Sequence, residues 1–320
     1  MEEILLRDIR LTEFEKNHRL NLIKTLEGYI ERSEKLSVWD VDFLKSSLPY
    51  LLGILPIKLE AITGFSLPFE RLVINESIYK SNKRLKSLEN LRYPPRKIAD
   101  KIGYNRANLP GQIIFYGSSM GRLATAVETR PKLGQLTTIS KWDLKKGNVL
   151  KMLIVCQDFD IALSNPEVLL DGYNEYIKEL NLMEENTRLV VTALYKFITN
   201  AFVRKVDTIN RQGYLFSALL SDLFFKNPDI DAIYYPSVPN KGASMNIAIK
   251  PDVVDEMFIM TEATEDFVFS SPSTNSPGWL QFPTGKCKSY SKESLELNWE
   301  SVFITEEQKD LMRMYKVDLT

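Results

Sequence analysis

The sequence predicts an α+β fold, and three observations carry that expectation. Strand-like apolar runs stand before and after a block of amphipathic helices instead of alternating with them one by one. No internal repeat or low-complexity tract is evident, which argues against a repeat architecture. The composition, 44% hydrophobic and 26% charged over 320 residues, is that of a globular chain able to bury a sizeable core.

The elements follow in order. Leu20, Ile23, Leu26 and Ile30 recur at helical spacing. Ser37-Val38-Trp39-Asp40 reads as a capping box that opens a second helix carrying Phe43, Leu44, Leu48, Leu51 and Leu52. Pro56 closes that run. Residues 1–68 are therefore expected to form a small helical accessory region. From Phe69 the texture changes, and 71–74 and 77–80 look like short strands. A polar loop containing prolines runs from Arg92 to Gly111. A strand at 112–116, a Gly-Ser turn and a helix at 122–130 come next. Strands at 136–142 and 149–156 precede helices at 167–181, 187–205 and 214–226, the first with Pro166 near its start. Strands return at 232–235, 246–249 and 257–260. A tail rich in Ser, Pro and Gly then leads to a short helix at 306–315. The expected division is 1–68 as accessory region, 69–262 as core domain and 263–320 as C-terminal extension.

Charge and rare residues narrow the chemistry. The formal net charge is −1, so no global field draws the chain to nucleic acid or anionic lipid, and neither is expected as a partner. No apolar run has the length of a membrane span, and the acidic start Met1-Glu2-Glu3-Ile4 lacks a signal-peptide layout. A cytoplasmic location is expected. Two distant cysteines, Cys156 and Cys287, make neither a disulfide framework nor a zinc cluster. The single histidine, His18, leaves no paired-histidine metal site, and no metal is expected. Chemistry must rest on carboxylates, hydroxyls, Arg and Lys.

Gly117-Ser118-Ser119-Met120-Gly121 fits the nucleophile-elbow pattern and lies between a predicted strand and a predicted helix. The pattern needs a histidine after the serine. His18 precedes it, so serine hydrolysis is not the reading. Small residues here let the chain turn sharply.

Three segments form a larger pattern. The first is Pro94-Pro95 with Tyr104-Asn105-Arg106-Ala107-Asn108-Leu109-Pro110-Gly111. The second is Ile114-Phe115-Tyr116-Gly117 with Ala124-Thr125-Ala126-Val127-Glu128-Thr129-Arg130-Pro131. The third is Asp231-Ala232-Ile233-Tyr234-Tyr235-Pro236-Ser237 with Asn246-Ile247-Ala248-Ile249. This order resembles the RES domain family, NAD-depleting toxins of RES–Xre toxin–antitoxin pairs. The resemblance spans about Leu72 to Phe258. It implies an ADP-ribosyltransferase-like split β-sheet core with helices, and NAD as substrate. Arg106 takes the place of the family Arg, Glu128 of the helix glutamate and Ser237 of the serine after Tyr-Pro, the three implied catalytic residues. Arg106, Tyr116 and Asn246 are the implied NAD-binding residues. Gly103 stands where the family often has a Tyr, and Lys80 where an early-strand Arg is common.

Departure of nicotinamide builds positive charge on the ribose, an oxocarbenium-like state. A fixed carboxylate near the anomeric carbon stabilises it, and Glu128 is the candidate. An Arg fork suits the pyrophosphate, which points to Arg106. Tyr116 can stack on nicotinamide or bond the ribose. Ser237 offers a hydroxyl, and Asn246 can orient Ser237 or the ligand. Water as acceptor gives a glycohydrolase, inorganic phosphate a phosphorylase, and a protein side chain an ADP-ribosyltransferase. A non-catalytic module binding NAD or ADP-ribose is the alternative class. A toxin-like enzyme further implies an antitoxin or regulatory protein partner. The interval between Arg10 and His18 is too long for the Arg–His pair of helical HEPN ribonuclease modules, so the helical start is read as structural or regulatory.

Overall fold

The computed structural model describes residues 9–55, 59–64, 68–119, 121–156, 167–207, 210–239, 241–272 and 278–319, with the side chains of 121–124 and 167–169 outside that description. In chain order its elements are α1 (Glu13–Glu31), α2 (Val38–Leu52), β1 (Leu59–Ile62), β2 (Phe69–Ile74), α3 (Asn75–Tyr79), β3 (Phe115–Ser118), α4 (Gly121–Thr129), β4 (Leu136–Leu144) and β5 (Leu150–Ile154). There follow α5 (Glu167–Leu182), α6 (Glu185–Val203), α7 (Leu215–Phe225), β6 (Ala232–Pro236), β7 (Met245–Ile249), α8 (Pro251–Met257), β8 (Phe258–Ser270), β9 (Leu280–Tyr290), β10 (Leu297–Ser301) and α9 (Glu306–Met314). The chain is α+β, as its pattern predicts.

The described residues fall into two compact units, and neither follows the tripartite division read from the sequence. One unit draws on the chain up to Ile62, on Lys97–Gln112 and on Leu150–Met245; the other takes Thr63–Arg96, Ile113–Val149 and Asn246–Thr320. The helical start is thus part of a larger body, and the 262/263 boundary falls inside β8.

In the first unit, β1 runs antiparallel to β5, with Leu59 opposite Leu153. β5 runs parallel to β6, with Ile154 opposite Tyr234. A parallel pair needs a crossover, and the chain between these strands holds α5, α6 and α7. α7 is apolar nearly all round and is correspondingly buried, from Leu215 to Ser221. α6 buries one face through Val190, Val191, Leu194, Phe197 and Ile198. α1 lies against α6. Reciprocal capping starts both N-terminal helices, Thr12 with Glu15 and Ser37 with Asp40. At their far ends Arg204 ties α6 to α1, donating to the Ile30 carbonyl and to Ser33 Oγ at 2.7 Å.

In the second unit the strand order is β7-β3-β2-β4-β8-β9-β10, each pair antiparallel. Trp142, Phe69 and Phe115 are fully buried. A second cluster joins Leu136, Phe267 and Phe282 to Met312 of α9. The tail, for which the sequence predicts only the short helix, also supplies β9 and β10 to this sheet. Pro283 and Gly285 obscure β9, because both weaken a regular strand. A register shift between Glu265 and Asp266, opposite Gly285 and Pro283, accommodates them, and a second shift lies between Val268 and Ser270.

Residues 77–80 form no strand. They belong to α3 and its cap, where Lys80 is left-handed at φ 55° and its N–H returns to the Glu76 carbonyl. The buried Asn75 fixes this turn, donating to the Lys83 carbonyl at 3.0 Å and to Glu265 at 3.1 Å while accepting from Thr138. Tertiary hydrogen bonds override the β-propensity of Ile78 and Tyr79.

Candidate functional site

The second unit holds Tyr116, Glu128 and Asn246. β3 ends at Ser118, whose register partner on β7 is Asn246. The chain turns at the buried Ser119 and enters α4. Ala126 of α4 packs on Leu72 and Ile139, seating the helix on β2 and β4. Two residues on, the half-buried Glu128 meets β7 again. Asn246 Nδ2 donates to Glu128 Oε1 at 2.7 Å. A short bond from an amide to a carboxylate oxygen fixes the carboxylate's direction.

Tyr116 shares the Ser118 face of β3 and pairs with Ala248. The residue between them is tightly placed: a Cβ on Gly117 would lie 3.3 Å from the Glu70 carbonyl and 3.2 Å from Phe115. The Tyr116 carbonyl accepts from Arg71 Nη1 at 2.9 Å. The Arg71 guanidinium also lies 5.5 Å over the Phe115 ring. Its buried Nε has no acceptor among the described residues. Burial lowers its pKa to about 10, with Tyr116 acting in the opposite sense. It remains cationic at neutral pH. Arg71 was not among the sequence candidates. The available signal was an Arg beside Glu70 inside the apolar run Phe69–Ile74.

The first unit holds Arg106 and Ser237. Arg106 sits in a loop stapled by its own side chains. Asn105 Nδ2 donates to Asn108 Oδ1 at 3.0 Å, and Asn108 Nδ2 to the Gly103 and Leu109 carbonyls at 3.1 and 2.9 Å. Gln112 anchors the loop on Asp222 at 2.6 Å. Arg106 Nη1 donates to the carbonyls of Phe202 and Arg204 at the end of α6, and the guanidinium lies 4.9 Å over the Tyr214 ring. Part of its fork therefore caps a helix C-terminus.

Ser237 is buried directly after β6. Its N–H donates to the Ser244 carbonyl at 2.8 Å, and its carbonyl accepts from Gly242 at 2.9 Å. The Phe202 ring packs on Tyr235 at 5.4 Å, so the Arg106 anchor and the approach to Ser237 share one aromatic contact. The structure thus groups the five candidates in two sets: Glu128, Asn246 and Tyr116, the first two directly bonded, and Arg106 with Ser237.

His18 is exposed on α1, stacked against Phe14 at 6.3 Å, consistent with a surface role. Among the described residues no helix is long and apolar enough to cross a membrane. No family model matches the chain, and no curated protein matches it.

Proposed function

We propose that this protein cleaves the nicotinamide–ribose bond of NAD, with Glu128 as the carboxylate that faces the developing ribosyl cation. The observation that carries the reading is the Asn246–Glu128 hydrogen bond. It holds in one orientation a carboxylate that the family resemblance singles out, and its partner is another residue the same resemblance names. A carboxylate pinned before the reaction needs no reorganisation as positive charge grows at the anomeric carbon.

In this reading the C–N bond to nicotinamide breaks and the pair of electrons leaves with the pyridine ring. Water then adds to the ribosyl carbon and loses a proton, giving ADP-ribose. Inorganic phosphate adds in the same way to give the 1″-phosphate. Arg106 binds the pyrophosphate, Tyr116 contacts the nicotinamide riboside, and Ser237 hydrogen-bonds the amide or a ribose oxygen. Arg71, a buried cation behind Tyr116, fixes the β3 backbone that presents the tyrosine. The proposal extends to an ADP-ribosyltransferase-like split-sheet fold, to action in the cytoplasm and to restraint by an antitoxin-like partner.

The test is to incubate the full chain with NAD, with and without phosphate, and to follow nicotinamide and ADP-ribosyl products by mass spectrometry. Nicotinamide release supports the reading, and the product mass names the acceptor. NAD that stays intact at high enzyme and long times, while calorimetry shows it bound, moves the reading to a non-catalytic binding module.

A further inference from the structure

The helical hairpin of α1 and α2 carries a row of rings that the NAD reading does not use. Phe14, His18 and Tyr29 stand on α1, and Trp39, Phe43 and Tyr50 on α2. Their spacings keep each set on one side of its helix. The other sides are buried, through Ile23 and Leu26 of α1 and Leu44, Leu48 and Leu51 of α2. The two rows join across the hairpin. His18 meets Tyr50 with ring centroids 5.9 Å apart, and Tyr29 meets Phe43 at the same distance. One outward face therefore holds aromatics at both of its ends, with the exposed Thr25 and Ser46 between them.

This face is too apolar to be an ordinary solvated one. Phe14 is 80% and Trp39 84% exposed, and Phe43 and Tyr50 are exposed beside them. At about 150–250 Å² for a whole aromatic side chain, these four leave roughly 500 Å² of ring surface in water. That is near the upper end of the apolar patches monomeric proteins carry, and such patches mark interaction surfaces. It also matches what a dimer needs. Each side of a standard interface contributes about 800 Å², a little over half of it apolar.

The charges beside the rings fit a second copy of the same face. The first turn of α1 is acidic, with Glu13 and Glu15, and keeps an excess carboxylate after Lys16 pairs with Glu13 at 2.6 Å. The exposed Arg32 follows the far end of α1, its guanidinium 4.5 Å over the Tyr29 ring. A two-fold axis between Thr25 and Ser46 sets the hairpin antiparallel to its copy, as an isologous contact requires. Phe14 and Tyr50 of one chain then meet Trp39 and Phe43 of the other, and Glu13 and Glu15 meet Arg32. A parallel pairing sets Arg32 against Arg32 and acid against acid. We infer that the chain forms a homodimer through this aromatic face, the two hairpins making an antiparallel four-helix contact.

Sedimentation velocity of the full chain, from about 1 to about 200 μM, tests this. The 36.9 kDa monomer should give way to a species of twice that mass as concentration rises. Phe14→Ser combined with Trp39→Ser alters only exposed side chains. It should weaken dimerisation by at least about 100-fold with an unchanged circular dichroism spectrum. Arg32→Gln should weaken it severalfold at low salt and much less at high salt. Phe303→Ser removes an equally exposed ring from the second unit and should leave the dimer intact. A chain that stays monomeric at every concentration overturns the inference and leaves the face to a different protein. A dimer untouched by the Phe14 and Trp39 double variant, or broken by Phe303→Ser, overturns it as well. Indifference to Arg32→Gln at low salt overturns the antiparallel pairing. NAD turnover is not read in this experiment, so neither result decides the other.

Discussion

Asn246 donates its side-chain amide to Glu128 at 2.7 Å, joining a strand start to a helix end across 118 residues of chain. If Glu128 stabilises the ribosyl cation, Glu128→Gln should keep the fold and lower NAD turnover by about 10²–10³, the usual effect of removing one preorganised electrostatic group. Asn246→Ala leaves the carboxylate present but removes one of the bonds that aim it, so a smaller fall in kcat with little change in KM is expected. Because the two act as a unit, the double variant should lose little more than Glu128→Gln alone. A folded Glu128→Gln protein turning over NAD at the wild-type rate ends the assignment.

Arg106 has an observed structural duty beside its proposed one in binding pyrophosphate. Its bonds to the Phe202 and Arg204 carbonyls and its position over Tyr214 are structural. Arg106→Ala should therefore lower stability by about 1–3 kcal/mol, from lost charge-assisted hydrogen bonds, on chemical denaturation. If Arg106 also binds the pyrophosphate as proposed, Arg106→Ala should raise the KM for NAD as well. Arg106→Lys separates the duties, since it keeps the charge but not the fork. Loss of stability with an unchanged KM in Arg106→Lys would leave Arg106 as a helix cap only.

The elements legible in the sequence were those whose pattern is local. The capping box at Ser37 and Asp40, the largely apolar α7 and the strand-turn-helix expected at 112–130, found as a strand at 115–118 and a helix at 121–129, were each visible in the local sequence. What escaped was set by distant contacts. Asn75 bends 75–79 into a helix through partners as far off as Glu265. β9 hides behind Pro283 and Gly285, and its pairing with β8 and β10 makes it a strand. Arg71 belongs to the same class. Nothing near it in sequence says that its guanidinium reaches the Tyr116 carbonyl.

Glu265 is a fully buried carboxylate that no sequence motif marks. It accepts from Asn75 at 3.1 Å, from Arg84 Nε at 3.0 Å and from Thr284 at 2.8 Å. Glu265→Ala strands the Arg84 guanidinium and should cost about 3–5 kcal/mol by urea denaturation. Burial raises the pKa of Glu265 even against Arg84 and the hydrogen bonds. A carboxyl raised on folding contributes stability that is present at acid pH and lost as pH climbs through the raised value. Relative to Glu265→Gln, the wild type should therefore gain stability as pH falls from neutral toward the ordinary glutamate range. It should level off below that range. A gap that shrinks on acidification contradicts the raised pKa.

Gly134 tests whether the C-terminal residues are integral to the second unit. Its φ is 84°, a left-handed conformation that only glycine takes without strain, and a Cβ would fall 2.1 Å from the Tyr315 ring. That ring closes the cluster of Leu136, Phe267, Phe282 and Met312 just past the end of α9. Gly134→Ala should therefore destabilise by about 2–4 kcal/mol, combining backbone strain with overpacking. The two contributions can be separated by Tyr315→Ala. In that background the steric part vanishes, and Gly134→Ala should cost only about 1 kcal/mol. Equal penalties in both backgrounds would place the whole effect in the backbone and leave α9 without a packing role at this turn. A penalty reduced by Tyr315→Ala means that the helix at 306–314 is docked as the structure describes and unfolds with the sheet.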